Sequence, residues 1–436
     1  MGALKHLLIQ GATLADGRRA DILIEGERIA AVGPGLSAPP GAEVVEAAGL
    51  LALPGLIDVH VHLREPGGEH KEDLTTGTRA ALAGGVTTVL GMPNTSPPLT
   101  DRAALTEALA RASRKAVCDF GLFVGATPEN AAEVAGLDEA VGLKAYIGSS
   151  TGTLLVESFA AQMAHFSTYP KARVLAVHAE DEEAVRWFAT QGQRRPPLCA
   201  ALAVARVLAL AEHLGRRLHI CHVSTAQEVA LIRAAKARGV PVTCEVTPHH
   251  LFLTAEQGDA PLYRMNPPLR SPDDVQALWA NLDVFDAIAT DHAPHTLAEK
   301  YGPEPPAGVP GLETALPLLL TAVREGRLTL PEVVRLTASG PARAFGLAHK
   351  GHLTPGYDAD VTLVDPEAAW TISNEGLFTK CGWTPFARRR VWGRVVRVFL
   401  RGQPVFADGK VLAEPGTGRR VQQAALNLPS PACADR

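Results

Sequence analysis

Cysteine is sparse and unpatterned: six residues, Cys118, Cys199, Cys221, Cys244, Cys381 and Cys433, with no CxxC pair and no dense framework. This excludes a disulfide-stapled secreted scaffold and predicts reduced, mostly buried thiols in a cytoplasmic protein. Charge of one sign is also missing, since 42 basic residues stand against 46 acidic ones for a formal net of −4, with no block of like charge. Nucleic acid is therefore not an expected partner. No long apolar span appears, and Met1 to Gln10 hold one lysine and a short apolar run that gives way to a turn at Gly11. Neither a signal peptide nor a membrane-spanning helix is expected.

What is present is length and alternation. At 436 residues the chain exceeds the usual single domain, so one large domain and a smaller one are expected. Residues 1–53 alternate short apolar segments with turns, as in Leu7-Leu8-Ile9 and Ala20-Asp21-Ile22-Leu23-Ile24, and the same texture returns in 348–436 at Ala359 to Val364 and Val395 to Leu400. Both ends read as small strands that could form one β-sandwich. The stretch past Ala413, rich in Gly, Pro, Ala and Gln, has no pattern and could be loosely ordered or drape over a neighbour. Between the ends, over 54–347, strand-like runs alternate with Ala- and Leu-rich helical stretches. Eight strands are expected, at 56–61, 86–92, 118–124, 141–146, 174–178, 218–223, 240–246 and 287–290, which fits an α/β fold of the (β/α)8 TIM-barrel type. In such barrels chemistry sits at the carboxyl ends of the strands.

Those ends carry His60 and His62, Lys144, His178, His222 and Asp291. His60 and His62 share one face of a strand because side chains alternate, so both imidazoles can reach one divalent metal. Alone, two such histidines could equally flank a valine at a loop edge. His178 and His222 taken singly read as hydrogen-bonded, partly buried imidazoles, and Asp291 as a turn cap. Their joint placement is what these separate readings explain poorly. Lys144 is the odd member: it could snorkel to solvent, or, neutralised by burial and nearby cations, become a nucleophile that captures carbon dioxide as a carbamate. Two metals so held would polarise a carbonyl and activate a water for hydrolysis, with Asp291 shuttling the proton to a leaving nitrogen.

The motifs Asp58-Val59-His60-Val61-His62-Leu63-Arg64-Glu65-Pro66-Gly67, Gly91-Met92-Pro93-Asn94-Thr95, Cys221-His222-Val223-Ser224-Thr225, Glu245-Val246-Thr247-Pro248-His249-His250, Met265-Asn266-Pro267-Pro268-Leu269-Arg270 and Asp291-His292-Ala293-Pro294-His295-Thr296 together resemble the dihydroorotases of the amidohydrolase superfamily. The resemblance runs from about Leu7 to Val411, and around Lys144 and 291–320 it is closest to the dihydroorotase domain of the animal multifunctional pyrimidine enzyme. It implies two zinc ions per chain: His60, His62 and Asp291 at one, His178 and His222 at the other, and Lys144, carbamylated by CO2, bridging them. It implies catalysis through Asp291, and a small-molecule substrate, dihydroorotate or N-carbamoyl-L-aspartate, whose carboxylate meets Arg64, Asn94 and His295. The ring would face His62, Asn266 and the Ala307-Gly308 loop.

Arg64 suits that role on chemical grounds too, because a guanidinium reads a carboxylate bidentately. Many bacterial relatives have an aspartate at the position of Lys144, so the bridge here should depend on bicarbonate. Ser150 and Thr151 lie in a small polar loop where relatives carry a lid, and His249 and His250 are expected to support the site from behind. A homo-oligomer, a dimer, is expected, and association with an aspartate transcarbamoylase is compatible with the resemblance. The rival readings are a hydantoinase or allantoinase with the same metal ligands, and an inactive homologue acting as a scaffold.

Overall fold

The computed structural model describes residues 6–150, 153–258 and 260–424. Eight short parallel strands form the central ring: β1 (Leu56–Val61), β2 (Val86–Gly91), β3 (Asp119–Leu122, resuming as Val124–Gly125), β4 (Leu143–Tyr146), β5 (Leu175–His178), β6 (Leu218–Ile220), β7 (Val242–Val246) and β8 (Ala287–Ile288). Hydrogen bonding runs β1-β2-β3 and then β3 through to β8 in chain order. The ring closes where Val61 bridges His292 and the His62 N–H donates to the His292 carbonyl at 2.8 Å. Each strand is buried along nearly its whole length, as expected of parallel strands covered by helices. The helices begin where the sequence supplies caps: Asp73 and Thr76 form a capping box for Leu74–Ala83, and Thr225 and Glu228 do so for Ala226–Ala237.

Helix Pro197–Leu214 is long and apolar enough to cross a membrane by length and composition, a property the sequence reading did not anticipate. Here its inward face, with Ala203, Val204, Val207 and Ala211, is packed into the barrel's outer core.

The two chain ends meet in one nine-stranded sheet. Strand Leu51–Pro54 is the joint: it pairs in parallel with His6–Leu14 and antiparallel with Val361–Thr371. Ile9, Ile22 and Ile24 from one end and Val361, Leu363 and Phe399 from the other share one buried core. The tail is described as far as Ala424 and lies along the barrel's amino end, where Phe120 exchanges backbone hydrogen bonds with Arg419 and Val421. Of the two readings for this stretch, 413–424 packs on its own chain.

Beneath it sits a buried ionic network. Lys350 Nζ contacts Asp119 at 2.6 Å, Asp360 at 2.7 Å and Asp358 at 3.0 Å, and Arg401 adds a second cation on Asp119. These three carboxylates are close enough to hold a metal, but Lys350 already supplies the positive charge. At the opposite end of the barrel, residues 372–389 leave the sheet and reach the mouth, where Trp383 Nε1–H donates to the His295 carbonyl at 2.7 Å.

Candidate metal centre

Three of the residues singled out by the sequence stand where the chain turns sharply out of its strand. Arg64, His222 and Asp291 have φ of 61°, 36° and 46°, a left-handed conformation that L-residues adopt rarely and that concentrates at functional sites. The turns at the carboxyl ends of β1, β6 and β8 aim these side chains, with those of His60, His62 and His178, into one cavity. It is lined by His60, His62, Arg64, Asn94, Tyr146, Ser150, His178, His222, Asn266, Asp291, Ala293, Ala307 and Gly308. Thr151 lies outside the described residues, as does Cys433.

At the floor, Asp291 Oδ1 lies 3.3 Å from His60 Nε2 and 3.0 Å from His62 Nε2, while His178 Nδ1 lies 3.0 Å from His222 Nε2. The ring of His60 stands 5.3 Å from both His62 and His222, so the two pairs form one continuous arc. Nitrogen and oxygen donors of His60, His222 and Asp291 converge within 4.8 Å of one another, and a nitrogen of His60, the Cys221 sulfur and a Glu245 oxygen make a second such group.

The opposite ring nitrogens of His60, His62 and His178 are occupied in ways that turn the donors inward. His60 Nδ1 meets Glu245, His62 Nδ1 donates to Asn94 Oδ1 at 2.7 Å, and His178 Nε2–H donates to Glu180 at 3.1 Å. Glu245 also accepts from the His222 backbone N–H at 3.1 Å and holds His219 at 3.0 Å. Asp58, anchored by Thr290, fixes the His60 backbone across the barrel seam.

This donor set fits divalent metals. Burial pushes His62 down to about 4 and lowers His178 and His222, leaving neutral imidazoles with free lone pairs. Burial and the Lys144 charge also press His60 down, but Glu245 and Asp291 outweigh them and hold it up to about 10. The carboxylates thus demand a cation at His60, a demand a proton or a metal can meet.

Lys144 is fully buried, so its tip does not snorkel to solvent. Its Nζ donates to Cys221 Sγ at 2.8 Å and lies 5.2 Å over the Tyr146 ring. Among the described residues no carboxylate pairs with it. A buried ammonium beside imidazoles, with a thiol as its hydrogen-bond partner, is a costly arrangement that a negatively charged carbamate would relieve.

Above the floor, Arg64 Nε donates to the Pro294 carbonyl at 3.1 Å and its Nη2 points at His295 Nε2, also 3.1 Å away. Lys71 Nζ lies 3.2 Å from His295 Nδ1, and His295 Nε2 lies 3.1 Å from the Ala307 carbonyl. A neutral imidazole can accept from Lys71 at Nδ1 and donate to the Ala307 carbonyl at Nε2, in which case the Arg64 Nη2 contact at Nε2 is not a hydrogen bond, and burial together with Arg64, Lys71 and Lys300 keeps His295 neutral. Asn266 accepts from Arg194 Nη2 at 2.9 Å. Gly308 has φ 138°, and a Cβ there would meet the Ala293 carbonyl at 2.5 Å, so only glycine lets this turn approach the cavity.

His249 and His250 are both buried next to β7; His250 bonds to Thr247 and the Pro267 carbonyl, and neither lines the cavity. The sequence reading assigned no role to Asp58, Cys221, Glu245, Glu180, Tyr146 or Lys71. For Asp58 and Glu245 the signal was a carboxylate inside an otherwise apolar strand, which must be paired to be buried.

The chain matches the family model described as the amidohydrolase family over residues 51–405. It is 46% identical over 389 residues, 88% of its length, to the multifunctional protein CAD of Squalus acanthias, and spans only 16% of that protein. It spans the same 16% of the multifunctional protein pyr1-3 of Dictyostelium discoideum, at 41% identity. Against the dihydroorotase of Halobacterium salinarum it is 43% identical, covering 95% of this chain and 100% of the relative. Among solved structures, the L-hydantoinase (dihydropyrimidinase) of Arthrobacter aurescens superimposes with a TM-score of 0.91 at 29% identity, covering 96% and 99% of the two chains.

Proposed function

The chain belongs to the amidohydrolase family, as a cyclic amidohydrolase related to dihydroorotases and hydantoinases, and from that premise we propose that it interconverts N-carbamoyl-L-aspartate and dihydroorotate with two zinc ions and a carbamate on Lys144. The observation that carries this reading is Arg64: a buried guanidinium that, with Asn94, lines a cavity whose floor is the donor arc, while His295 does not line the cavity and sits behind Arg64, 3.1 Å from its Nη2. A carboxylate on the ring is the substrate feature that such a lining matches.

In this reading His60, His62 and Asp291 would hold one metal, His178 and His222 would hold the other, and Lys144, once carbamylated, would supply a ligand to both. When bound, the metals polarise the ring amide carbonyl and make the attacking water acidic enough to react at neutral pH. Arg64 and Asn94 grip the carboxylate, with His295, whose ring nitrogens meet Lys71 and the Ala307 carbonyl, packed behind Arg64, while Asn266 and the Ala307-Gly308 turn face the ring and fix its angle over the floor. Asp291 Oδ1, aimed at the centre of the arc, takes the proton of the water as it attacks. It returns that proton to the ring nitrogen as the C–N bond breaks. Cyclisation runs through the same groups in reverse.

Two measurements test this. Metal-stripped protein reconstituted with zinc should recover dihydroorotate hydrolysis and about two zincs per chain only when bicarbonate is present, the two-metal stoichiometry being that of bridged hydrolytic sites. Arg64→Ala should raise KM for dihydroorotate by roughly 10- to 100-fold with metal content unchanged, the loss expected for a charge-assisted pair. Turnover of unsubstituted hydantoins in place of dihydroorotate would transfer the assignment to the hydantoinase reading, and zinc binding without turnover of either would leave a scaffold.

A further inference from the structure

Lys300 is a fully buried lysine that the proposed chemistry does not use. It ends the short helix Leu297–Lys300, and its Nζ donates to three backbone carbonyls: Arg264 at 2.9 Å, Pro306 at 3.0 Å and Gly308 at 3.0 Å. Its fourth neighbour is the Trp383 ring, 5.6 Å from Nζ. Among the described residues no carboxylate forms an ion pair with it, and burial first, then the cations Arg194 and Arg264, press its pKa down to about 7, while the three carbonyl acceptors match the three donors of the ammonium form.

Three N–H donors meeting three carbonyls satisfy the ammonium's hydrogen bonds but leave its charge unbalanced. A buried, uncompensated charge is expensive, and an apolar side chain would fill the same space at less cost. The return on that cost is geometric. Pro306 and Gly308 flank Ala307, and Arg264 lies two residues before Asn266. The Gly308 N–H donates to the same Arg264 carbonyl at 2.9 Å, so the two segments are stitched at one point. Asn266, Ala307 and Gly308 are the wall of the cavity facing the ring.

We propose that Lys300 is a positioning residue whose ammonium clamps the Asn266 segment and the Ala307-Gly308 turn into a single wall, and so sets the cavity's fit to its cyclic substrate. This rests on the function proposed above. The clamp acts on binding of the ring, and the tie between this turn and the segment after Asp291, the Ala293 N–H to the Val309 carbonyl at 2.9 Å, is a bond that Lys300 does not make.

The test uses the full zinc-loaded chain and the variants Lys300→Met, which fills the space without donors, and Lys300→Gln, which keeps two. Lys300→Met should raise KM for dihydroorotate about tenfold or more, as loss of hydrogen bonds to a charged group implies, with kcat changed by far less and zinc per chain unchanged. Lys300→Gln should fall between it and the parent. Independently of activity, amide exchange at Gly308 should accelerate in Lys300→Met while the amides of β5 and β6 keep their protection. Parent values of both KM and Gly308 exchange in the folded Lys300→Met protein would overturn the proposal, as would a fall in kcat at constant KM. If Lys300→Met does not fold, Lys300→Gln alone decides on the same two readouts. A parent enzyme that leaves dihydroorotate untouched sinks the functional reading, whereas the exchange measurement still decides on the clamp.

Discussion

Glu245 does more at this centre than its position inside an apolar strand advertises. One carboxylate orients the His60 ring, receives the His222 backbone N–H and holds His219, so it aligns donors from β1 and β6 at once. Groups placed behind a ligand in this way tune metal affinity by roughly 10- to 100-fold. Glu245→Gln should accordingly lose zinc to a competing chelator at a 10- to 100-fold lower chelator concentration, with the barrel's far-UV spectrum retained. Equal retention of zinc would show that the carboxylate serves packing alone. The candidate ligand histidines themselves are legible in the sequence because each stands at the end of an apolar run, where a strand delivers it to the barrel's mouth. Glu245 and Asp58 are not legible in the same way. They lie within strands, and which groups each one meets depends on register across the ring, which no local pattern encodes.

At the scale of elements, the segment 372–389 shows what the sequence withholds. Its strand-like flanks are readable as part of the terminal sheet, yet its journey to the barrel mouth is a long-range packing event with no periodic signature. The helix Leu312–Arg324 receives it through Glu313, whose carboxylate accepts from the backbone N–H groups of Phe378 and Thr379 at 3.0 Å. Burial, with Glu72 nearby, pushes Glu313 up to about 7. A carboxyl group with a raised folded-state pKa contributes stability that is complete below its ordinary range near 4.5 and is lost as pH rises through about 7. The melting temperature of the parent should therefore fall relative to that of Glu313→Gln as pH rises between those two values. A difference that stays constant across that window would mean that Glu313 is charged throughout. The eight barrel strands, by contrast, are legible because burial on both faces writes them as mainly apolar runs; their ends shift, and the third expected strand is interrupted at Phe123.

For the molecule as a whole, the Lys350 network joins three parts of the chain: Asp119 at the start of β3, Asp358 and Asp360 leading into the sheet, and Arg401, whose guanidinium also donates to the Thr417 carbonyl in the tail. Removing the central cation strands buried carboxylates, which typically costs about 3–5 kcal/mol. Lys350→Met should lower the melting temperature markedly and leave kcat and KM at moderate temperature unchanged, since the network lies at the barrel end away from the cavity. Restoration of stability in the double variant Lys350→Met, Asp360→Asn would identify the stranded charge as the cause.

The joint at Leu51–Pro54 has a consequence for how the molecule is made. Its antiparallel partner, Val361–Val364, is separated from it by the entire barrel. Domains usually mature from the amino terminus as the chain is synthesised, but here the opening strands emerge with one edge unfilled and must wait until the barrel has been translated. The barrel is thus the first body able to complete its own hydrogen bonding, and the sheet fastens last. A ribosome stalled within the barrel would therefore display an open β edge, the kind of surface that pairs with other chains, and the chaperone demand of this protein should peak before residue 361 is reached.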